Sequence, residues 1–269
     1  MKIIISFFLF ATLSFANINE QCDVLFEKIS GNKIDREIFI IVDKTTPFPE
    51  NIRTDSLINI ISIIKPRTAV SIFTFSEYKK DKHIDFIDRY HFNALLSKDN
   101  EYDMAKKKIR FYKNCLKAEN NGLKRKIAND IYDNFKSDGE NYDNSEIFYS
   151  LKKISKEAIS LTRAKEKIVF ILSDMLENSS YTSFYKEELK NLDIDKEIDI
   201  VHKNKLLGNF SGADIVVVGT GIVGNKKGYV DGKDQDSLRE FWELYFKESN
   251  AKLKVFSTEI NYPIKNMYE

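Results

Sequence analysis

Short apolar runs alternate with amphipathic segments along most of the chain. The apolar runs predict β-strands at residues 37–42, 69–75, 168–173, 214–219 and 252–257, and a weakly alternating run predicts an edge strand at 83–92. The segments between them predict helices at residues 54–64, 123–135, 145–164, 183–192 and 237–249. Because strands and helices alternate, we expect an α/β fold: a three-layer, doubly wound, mostly parallel sheet flanked by helices on both faces.

The first residues of the chain follow a different pattern. A positive start, Met1–Lys2, precedes a continuous apolar run at residues 3–10, and Ser14 and Ala16 supply the small side chains of a cleavage site. The apolar run is too short to span a bilayer comfortably, although an uncleaved membrane anchor is the alternative. We therefore predict a signal peptide at residues 1–16, export to the periplasm or the cell exterior, and no stable membrane insertion after leader cleavage.

The rest of the chain divides by the regularity of its pattern. Residues 17–36 are a polar lead-in, residues 37–257 carry the alternating strands and helices, and residues 258–269 form a C-terminal tail. Within the domain, a lysine run and an Asn-Asn-Gly turn signal interrupt the periodicity. We therefore expect an irregular insertion at about residues 93–141.

Charge and cysteine content narrow the possible partners. The chain has 42 basic and 41 acidic residues and a formal net charge of +1, which gives no electrostatic basis for binding nucleic acid. In an exported protein the two cysteines, Cys22 and Cys115, are expected to form a disulfide, with two separate thiols as the alternative. The histidines do not have the spacing of zinc ligands: His83, His91 and His202.

Two aspartates follow directly after apolar strands. Asp43 follows the first predicted strand and Asp174 follows the strand at 168–173, so both are expected at the carboxyl edge of the sheet, where open α/β sheets bind ligands. Thr45 and Ser145 place hydroxyls near the same edge. Oxygen ligands of this kind suit Mg²⁺, which keeps several waters and needs only one or two protein carboxylates. The alternative is purely structural: Thr45 in a turn, Ser145 as a helix N-cap and Asp174 as a turn residue.

These residues resemble the metal-dependent adhesion site of the von Willebrand factor type A family. That site combines D-x-S-x-S after the first strand, a loop threonine before a middle helix, and an aspartate after the fourth strand. Asp43 and Thr45 match the first two positions of the motif, whereas Pro47 stands at the third and lacks a hydroxyl. Ser145 and Asp174 match the loop and the last aspartate. The resemblance covers about residues 37–257 and is incomplete in its first motif.

The resemblance implies binding rather than catalysis. In this family a cation keeps one coordination position open for a carboxylate of a protein partner, and neutral hydroxyl ligands leave the cation electrophilic. Thr46 is the hydroxyl nearest to the missing third position, and Glu177 and Asn178 follow Asp174 on the same edge. We therefore expect Thr46, Glu177 and Asn178 to form a rim that contacts the partner, or Glu177 and Asn178 to be loop residues that cap the next helix.

Other functions fit the sequence less well but stay open. Residues 219–224 match G-x-G-x-x-G after a strand, yet a turn-like segment follows where a dinucleotide site requires a helix. A magnesium-dependent phosphatase of the haloacid dehalogenase type needs a second aspartate where Thr45 stands. The third possibility is a structural component of a secretion or surface assembly, with an inactive metal site. We expect a binding module that is not an enzyme.

Overall fold

A six-stranded sheet runs through the centre of the computed structural model, which describes residues 22, 33–77, 84–135, 144–185, 187–223 and 228–269. Its strands are β1 (Arg36–Asp43), β2 (Thr68–Phe75), β3 (Ile84–His91), β4 (Glu166–Leu172), β5 (Ala213–Val218) and β8 (Ala251–Ser257). Two short strands, β6 (Ile222–Val223) and β7 (Gly228–Tyr229), form a separate hairpin. The sheet order is β3-β2-β1-β4-β5-β8, and β3 alone within this described sheet is antiparallel to its neighbour.

The helices cover both faces of the sheet. They are α1 (Glu50–Ser62), α2 (Lys98–Tyr102), α3 (Lys106–Asn134), α4 (Ile147–Glu157), α5 (Glu187–Lys190), α6 (Ile194–Lys203) and α7 (Gly232–Glu248), with 3-10 turns at Ile159–Leu161 and Ile264–Met267. Alternate residues of β1 point to opposite layers: Ile38 and Ile40 pack with α1 and α3, whereas Phe39 and Ile41 pack with α4, α6 and α7. The predicted three-layer α/β architecture is confirmed.

The central strands form because their apolar runs can be buried on both faces. Every residue of β1 is buried, and five successive residues at the end of β4 are buried as well. A parallel strand covered by helices on both sides needs an almost continuous apolar sequence, and these runs supply it. At the edge, β3 is mostly exposed, as expected for an edge strand, but its exposed residues come in consecutive pairs and do not alternate singly.

The segment at 93–141 is not an irregular insertion as far as it is described. Its main element is α3, a 29-residue helix in which Tyr112, Leu116, Ile127 and Ile131 face inward at helical spacing. Gly122, expected in a turn, lies inside this helix. The dense charges hid the periodicity, and packing against α1 overrides the local turn signal. Residues 136–143 lie outside the described part of the chain.

The disulfide predicted between Cys22 and Cys115 is present. It joins Cys22 to the buried face of α3, with Cα atoms 5.8 Å apart, across a sequence separation of 93 residues. The predicted signal peptide, residues 1–16, and most of the lead-in lie outside the described residues. Within the described residues, no helix combines the length and the apolarity needed to cross a bilayer.

Two further segments differ from the expectation. The helix predicted at 183–192 is reduced to the short α5, and a longer helix, α6, follows at Ile194–Lys203. The predicted C-terminal tail packs on the domain, since Ile260, Ile264 and Tyr268 are buried against the layer of α1. Short segments of this kind have too few residues for periodicity to identify their packing.

Candidate metal centre

The two aspartates lie at the point where the sheet reverses its winding direction. From β1 the chain continues to β2 on one side, and β4 later adds to the other side of β1. The carboxyl ends of β1 and β4 therefore flank the crevice where doubly wound sheets bind ligands. Asp43 is the last residue of β1, and Asp174 lies two residues beyond β4. The fold brings together two acids that are 131 residues apart (174 minus 43).

Hydroxyl groups surround the carboxylate of Asp43, which is only 1% exposed. The backbone N–H and the hydroxyl of Thr45 donate to Asp43 Oδ1 at 2.9 and 2.6 Å. The hydroxyl of Ser173 donates to Oδ2 at 2.7 Å, and that of Ser145 lies 3.5 Å from the same oxygen. Thr45 Oγ1 and Ser145 Oγ are 3.1 Å apart. Three hydroxyls from three separate segments thus meet at one carboxylate.

Asp174 is held by the loop that follows β4. Its backbone N–H donates to Thr46 Oγ1 at 3.1 Å, and its Oδ1 accepts from the backbone N–H of Leu176 at 2.9 Å. The hydroxyl of Tyr185 also bonds to this carboxylate. Thr46 Oγ1 lies within hydrogen-bonding range of both aspartates. Thr46 thus ties the end of β1 to the end of β4.

The electrostatics of the pair follow from burial. Burial raises the pKa of Asp43, while the hydrogen bonds from Thr45 and Ser173 lower it. Burial raises the pKa of Asp174 well above its usual range, and the nearby charge of Asp43 raises it further. Burial and the charge of Asp174 also raise the pKa of the Tyr185 phenol. Two like charges in a buried place disfavour each other, so a cation between them would be stabilising.

The site contains the predicted residues and two that were not predicted. Asp43, Thr45, Ser145 and Asp174 converge as expected. Ser173 and Tyr185 were missed: Ser173 looked like the last residue of a strand, and Tyr185 lay in a predicted helix. A serine directly before the strand-end aspartate was the one signal in the sequence that could have identified Ser173.

The predicted partner-contacting rim differs from the structure. Glu177 is 0% exposed and Thr46 is 1% exposed, so neither side chain offers surface to a partner. Glu177 Oε2 instead accepts the backbone N–H of Phe148 at 3.0 Å, which caps the N-terminus of α4. Burial raises the pKa of Glu177 to about 8. Asn178 pairs through its backbone with Ser145, at 2.8 and 3.0 Å, and its role as a partner contact stays a prediction.

The glycine motif at 219–224 adopts no dinucleotide-binding geometry in its described part. Gly219 and Gly221 have φ of +100° and +72°, and β6 follows directly where a helix would have to begin. A Cβ atom on Gly219 would lie 2.4 Å from the ring of Phe48. The backbone N–H of Gly221 donates to the carbonyl of Asp174 at 2.8 Å. This loop therefore lies beside the carboxyl edge of the sheet, where it supports the backbone of the site.

The donor set fits a hard divalent cation. Within the described ranges, no group of three or more His, Cys, Asp or Glu side chains could hold a metal ion. The site is instead two carboxylates with several neutral hydroxyl oxygens, and oxygen-only sites of low ligand charge favour Mg²⁺, Ca²⁺ or Mn²⁺ over Zn²⁺. Thr46 supplies the hydroxyl that Pro47 lacks, although its oxygen already accepts the N–H of Asp174.

No protein-family model matches the chain, and neither does any curated protein. Solved structures with a similar fold include proximal thread matrix protein 1 from the mussel byssus, with a zinc-occupied MIDAS motif (14% identity, TM-score 0.41, covering 88% of this chain and 46% of that one). Another is the pilus adhesin SpaC of Lactobacillus rhamnosus GG (11% identity, TM-score 0.44, covering 89% and 30%). A third is an aerotolerance-related membrane protein of Bacteroides fragilis (9% identity, TM-score 0.34, covering 86% and 96%).

The chain spans less than half the length of the first two of these proteins. Such distant likenesses do not carry the function of those proteins to this chain. The predicted resemblance to the von Willebrand factor A family is confirmed at the level of the fold, by the three-layer architecture and the sheet order.

Proposed function

We propose that this chain is an exported binding module that holds a divalent cation, Mg²⁺, at the carboxyl edge of its sheet and uses the cation to bind a protein partner. Asp43 and Asp174 are the charged ligands in this proposal, and Thr45 and Ser145 supply neutral oxygens. The leader at residues 1–16 supports export to the periplasm or the cell exterior.

The convergence of two buried aspartates across the switch point carries the proposal. A pair of buried acids destabilises the folded state unless protons or a cation neutralise it. Neutral side chains could fill a purely structural role without the free-energy cost of burying two acids. Burial raises the pKa of Asp43, and the hydrogen bonds donated by Thr45 and Ser173 oppose this effect by stabilising the ionised carboxylate that a cation would need.

When bound, Mg²⁺ would neutralise the two aspartates and present an electrophilic position to an oxygen ligand of the partner. The chain itself orients the ligands. Thr45 fixes Asp43 through two hydrogen bonds to one oxygen, and Thr46 holds the backbone of Asp174. With 0% to 3% of the aspartates and Ser173 exposed, bulk water is largely excluded from the carboxylates.

Thermal unfolding of the metal-stripped protein with added MgCl₂ or MnCl₂ tests the proposal. A ligand present at a hundred times its Kd stabilises by about 2.7 kcal/mol, and we expect the melting temperature to rise by roughly 5–10 °C for a chain of this size. Asp43→Asn and Asp174→Asn should each remove this shift. Asp236→Asn is the matched control, because Asp236 is exposed on α7 and is not among the groups that interact with Asp43 or Asp174, and it should keep the full shift.

The outcomes separate the alternatives. If the parent protein shows neither a melting shift nor a calorimetric binding signal with either ion, the chain has no cation site. That result would favour the alternative function, a structural component of a secretion or surface assembly. Turnover of a generic aryl phosphate that depends on Mg²⁺ and on Asp43 would overturn the binding proposal in favour of a hydrolase. The structure does not favour that route, since Asp43 accepts hydrogen bonds on both oxygens from Thr45 and Ser173.

A further inference from the structure

On the face of the sheet that carries α4, no helix or strand of the described residues covers the area beside β2 and β3. Phe86 on β3 is 57% exposed and Leu161 is 71% exposed, and both line a groove of about 690 Å³ together with Phe73 and Phe39. Exposed aromatic and aliphatic side chains that meet in one groove are unusual on a protein surface and mark interaction sites. The groove lies at the amino end of β1, opposite to the aspartate pair.

A buried acid forms the polar floor of this groove. Glu37, only 4% exposed, accepts from the hydroxyl of Ser71 at 3.2 Å and from Arg89 Nε at 3.0 Å, and it is also bonded by the hydroxyl of Thr162. The network joins β1, β2, β3 and the segment after α4. Because each of these elements contributes one group, the shape of the groove is held in place by the fold.

The charge around the groove is predominantly positive. Its lining includes four basic residues, Lys33, Arg89, Arg163 and Lys165, against two acids, Asp35 and Glu37. Arg89 is paired with Glu37, and Lys33 lies 3.9 Å from Asp35. Arg163 and Lys165 are exposed at the rim. The remaining positive charge therefore complements an anionic group on whatever fills the apolar groove.

The groove runs beside an unpaired strand edge. In the described sheet β3 is the outermost strand on this side, and its outer backbone groups have no neighbouring strand. The opposite edge strand, β8, carries exposed lysines at Lys252 and Lys254, a common protection of an edge against pairing. On β3, Phe86 pairs with Phe73 and Arg89 with Ser71, and a register shift between Ile72 and Phe73 places Phe86 and Arg89, three residues apart, on the groove face. Side chains alternate along a strand, so an added strand would direct alternate side chains to this face.

We propose that this groove binds an extended segment of a partner protein that adds to β3 as a strand. Its apolar side chain would fill the space between Phe73, Phe86 and Leu161, and its carboxylates would meet Arg163 and Lys165. Main-chain hydrogen bonds supply affinity in this mode of recognition, and pockets for alternate side chains supply specificity. The proposal is independent of any cation, since the groove and the aspartate pair lie at opposite ends of the sheet.

Fluorescence anisotropy with labelled heptapeptides tests the proposal. The probe alternates threonine with Glu, Phe and Glu on the face toward the groove, and companion peptides replace both Glu by Lys or Phe by Ser. We expect saturable binding of the probe in EDTA, and about tenfold weaker binding of each companion, because two exposed ion pairs or one apolar contact amount to roughly 1–2 kcal/mol.

Variants of the chain locate the site. Phe86→Ser and Arg163→Glu should each weaken binding of the probe about tenfold. Tyr102→Ser and Lys247→Glu are matched controls, because both side chains are exposed and neither lines the groove, and they should leave binding of the probe unchanged. Asp43→Asn should also leave it unchanged, so a failure of the cation site does not affect this result.

Several outcomes would overturn the proposal. Equal binding of the Glu and Lys peptides, no binding of any peptide, or full binding by Phe86→Ser would each do so. Dimerisation of the parent chain that Phe86→Ser abolishes would assign the groove to a second copy instead. Direct binding of a fatty acid such as dodecanoate to the parent protein but not to Phe86→Ser, together with no binding of the probe, would assign the groove to an amphipathic small molecule.

Discussion

Glu177 is an acid buried at the N-terminus of α4, and its neutral replacement tests how the core of the site tolerates charge. The side chain is 0% exposed, and its Oε2 accepts the backbone N–H of Phe148 at 3.0 Å. In Glu177→Gln the amide oxygen can accept the same N–H, but the side chain cannot ionise. The substitution therefore removes the titration and keeps the helix cap.

The size of the effect follows from the pKa. Burial raises the pKa of Glu177 from 4.5 to about 8, so the folded chain holds this proton more tightly than the unfolded chain. Stability from this group is complete below the unfolded pKa and is lost as the pH rises through the folded value. At 1.36 kcal/mol per unit, keeping Glu177 protonated in the folded chain, while it ionises in the unfolded chain, costs about 1 kcal/mol at pH 5 and about 3 kcal/mol at pH 7. We therefore expect the advantage of Gln over Glu to grow by about 2 kcal/mol across this range.

Urea unfolding of the parent protein and of Glu177→Gln, at several pH values in EDTA, measures the difference in their free energies of unfolding. The contributions of all other titrating groups cancel when one free energy is subtracted from the other. The exposed helix residue Glu243 provides a matched control. The free energy of unfolding of Glu243→Gln should differ from that of the parent protein by an amount that does not change with pH. A flat difference for Glu177→Gln as well, or one that shrinks as the pH rises, would show that Glu177 is ionised in the folded protein and would refute the reasoning.

Three further substitutions test other parts of the fold by urea unfolding. Gly122→Ala adds a methyl group that meets nothing within 4 Å on α3 and should stabilise the protein by about 0.5–1 kcal/mol; destabilisation would mean that the helix is broken there. Ser173→Ala removes the hydroxyl that donates to Asp43 at 2.7 Å and should cost about 1–3 kcal/mol at neutral pH, whereas no change would show that Asp43 is protonated or solvated. Replacing Cys22 and Cys115 by serine should cost up to about 4 kcal/mol, an effect that reduction of the parent protein should reproduce.

The central strands and the aspartate pair could be predicted from the sequence because each has a local signal. A wholly apolar run such as the one in β4 can be satisfied only between two covering layers. An aspartate that directly follows such a run must lie at the carboxyl edge of the sheet. The meeting of Asp43 with Asp174 then follows from parallel strands, whose ends share an edge.

The remaining features depend on packing that no local signal encodes. The sequence predicts only the last part of α3, at residues 123–135, because charges outnumber apolar positions in the helix and hide the periodicity of its first half. Glu177 looks like a loop acid until the fold places it under the N-terminus of α4. Tyr185 reaches Asp174 from a segment whose helical pattern is not realised before Glu187. Each of these outcomes is set by tertiary contacts between segments that are distant in sequence.

The two proposed sites occupy opposite ends of one strand, and this separation makes their experiments independent. Glu37 is near the beginning of β1 and Asp43 is its last residue. At about 3.3 Å per residue the six steps between them span roughly 20 Å. The groove charges that would meet a partner, Arg163 and Lys165, are exposed, and solvent screens exposed charges beyond the Debye length of about 8 Å at physiological ionic strength. Any coupling between cation and peptide binding would therefore have to pass through movement of β1 itself, which is buried along its whole length and closely packed in the core.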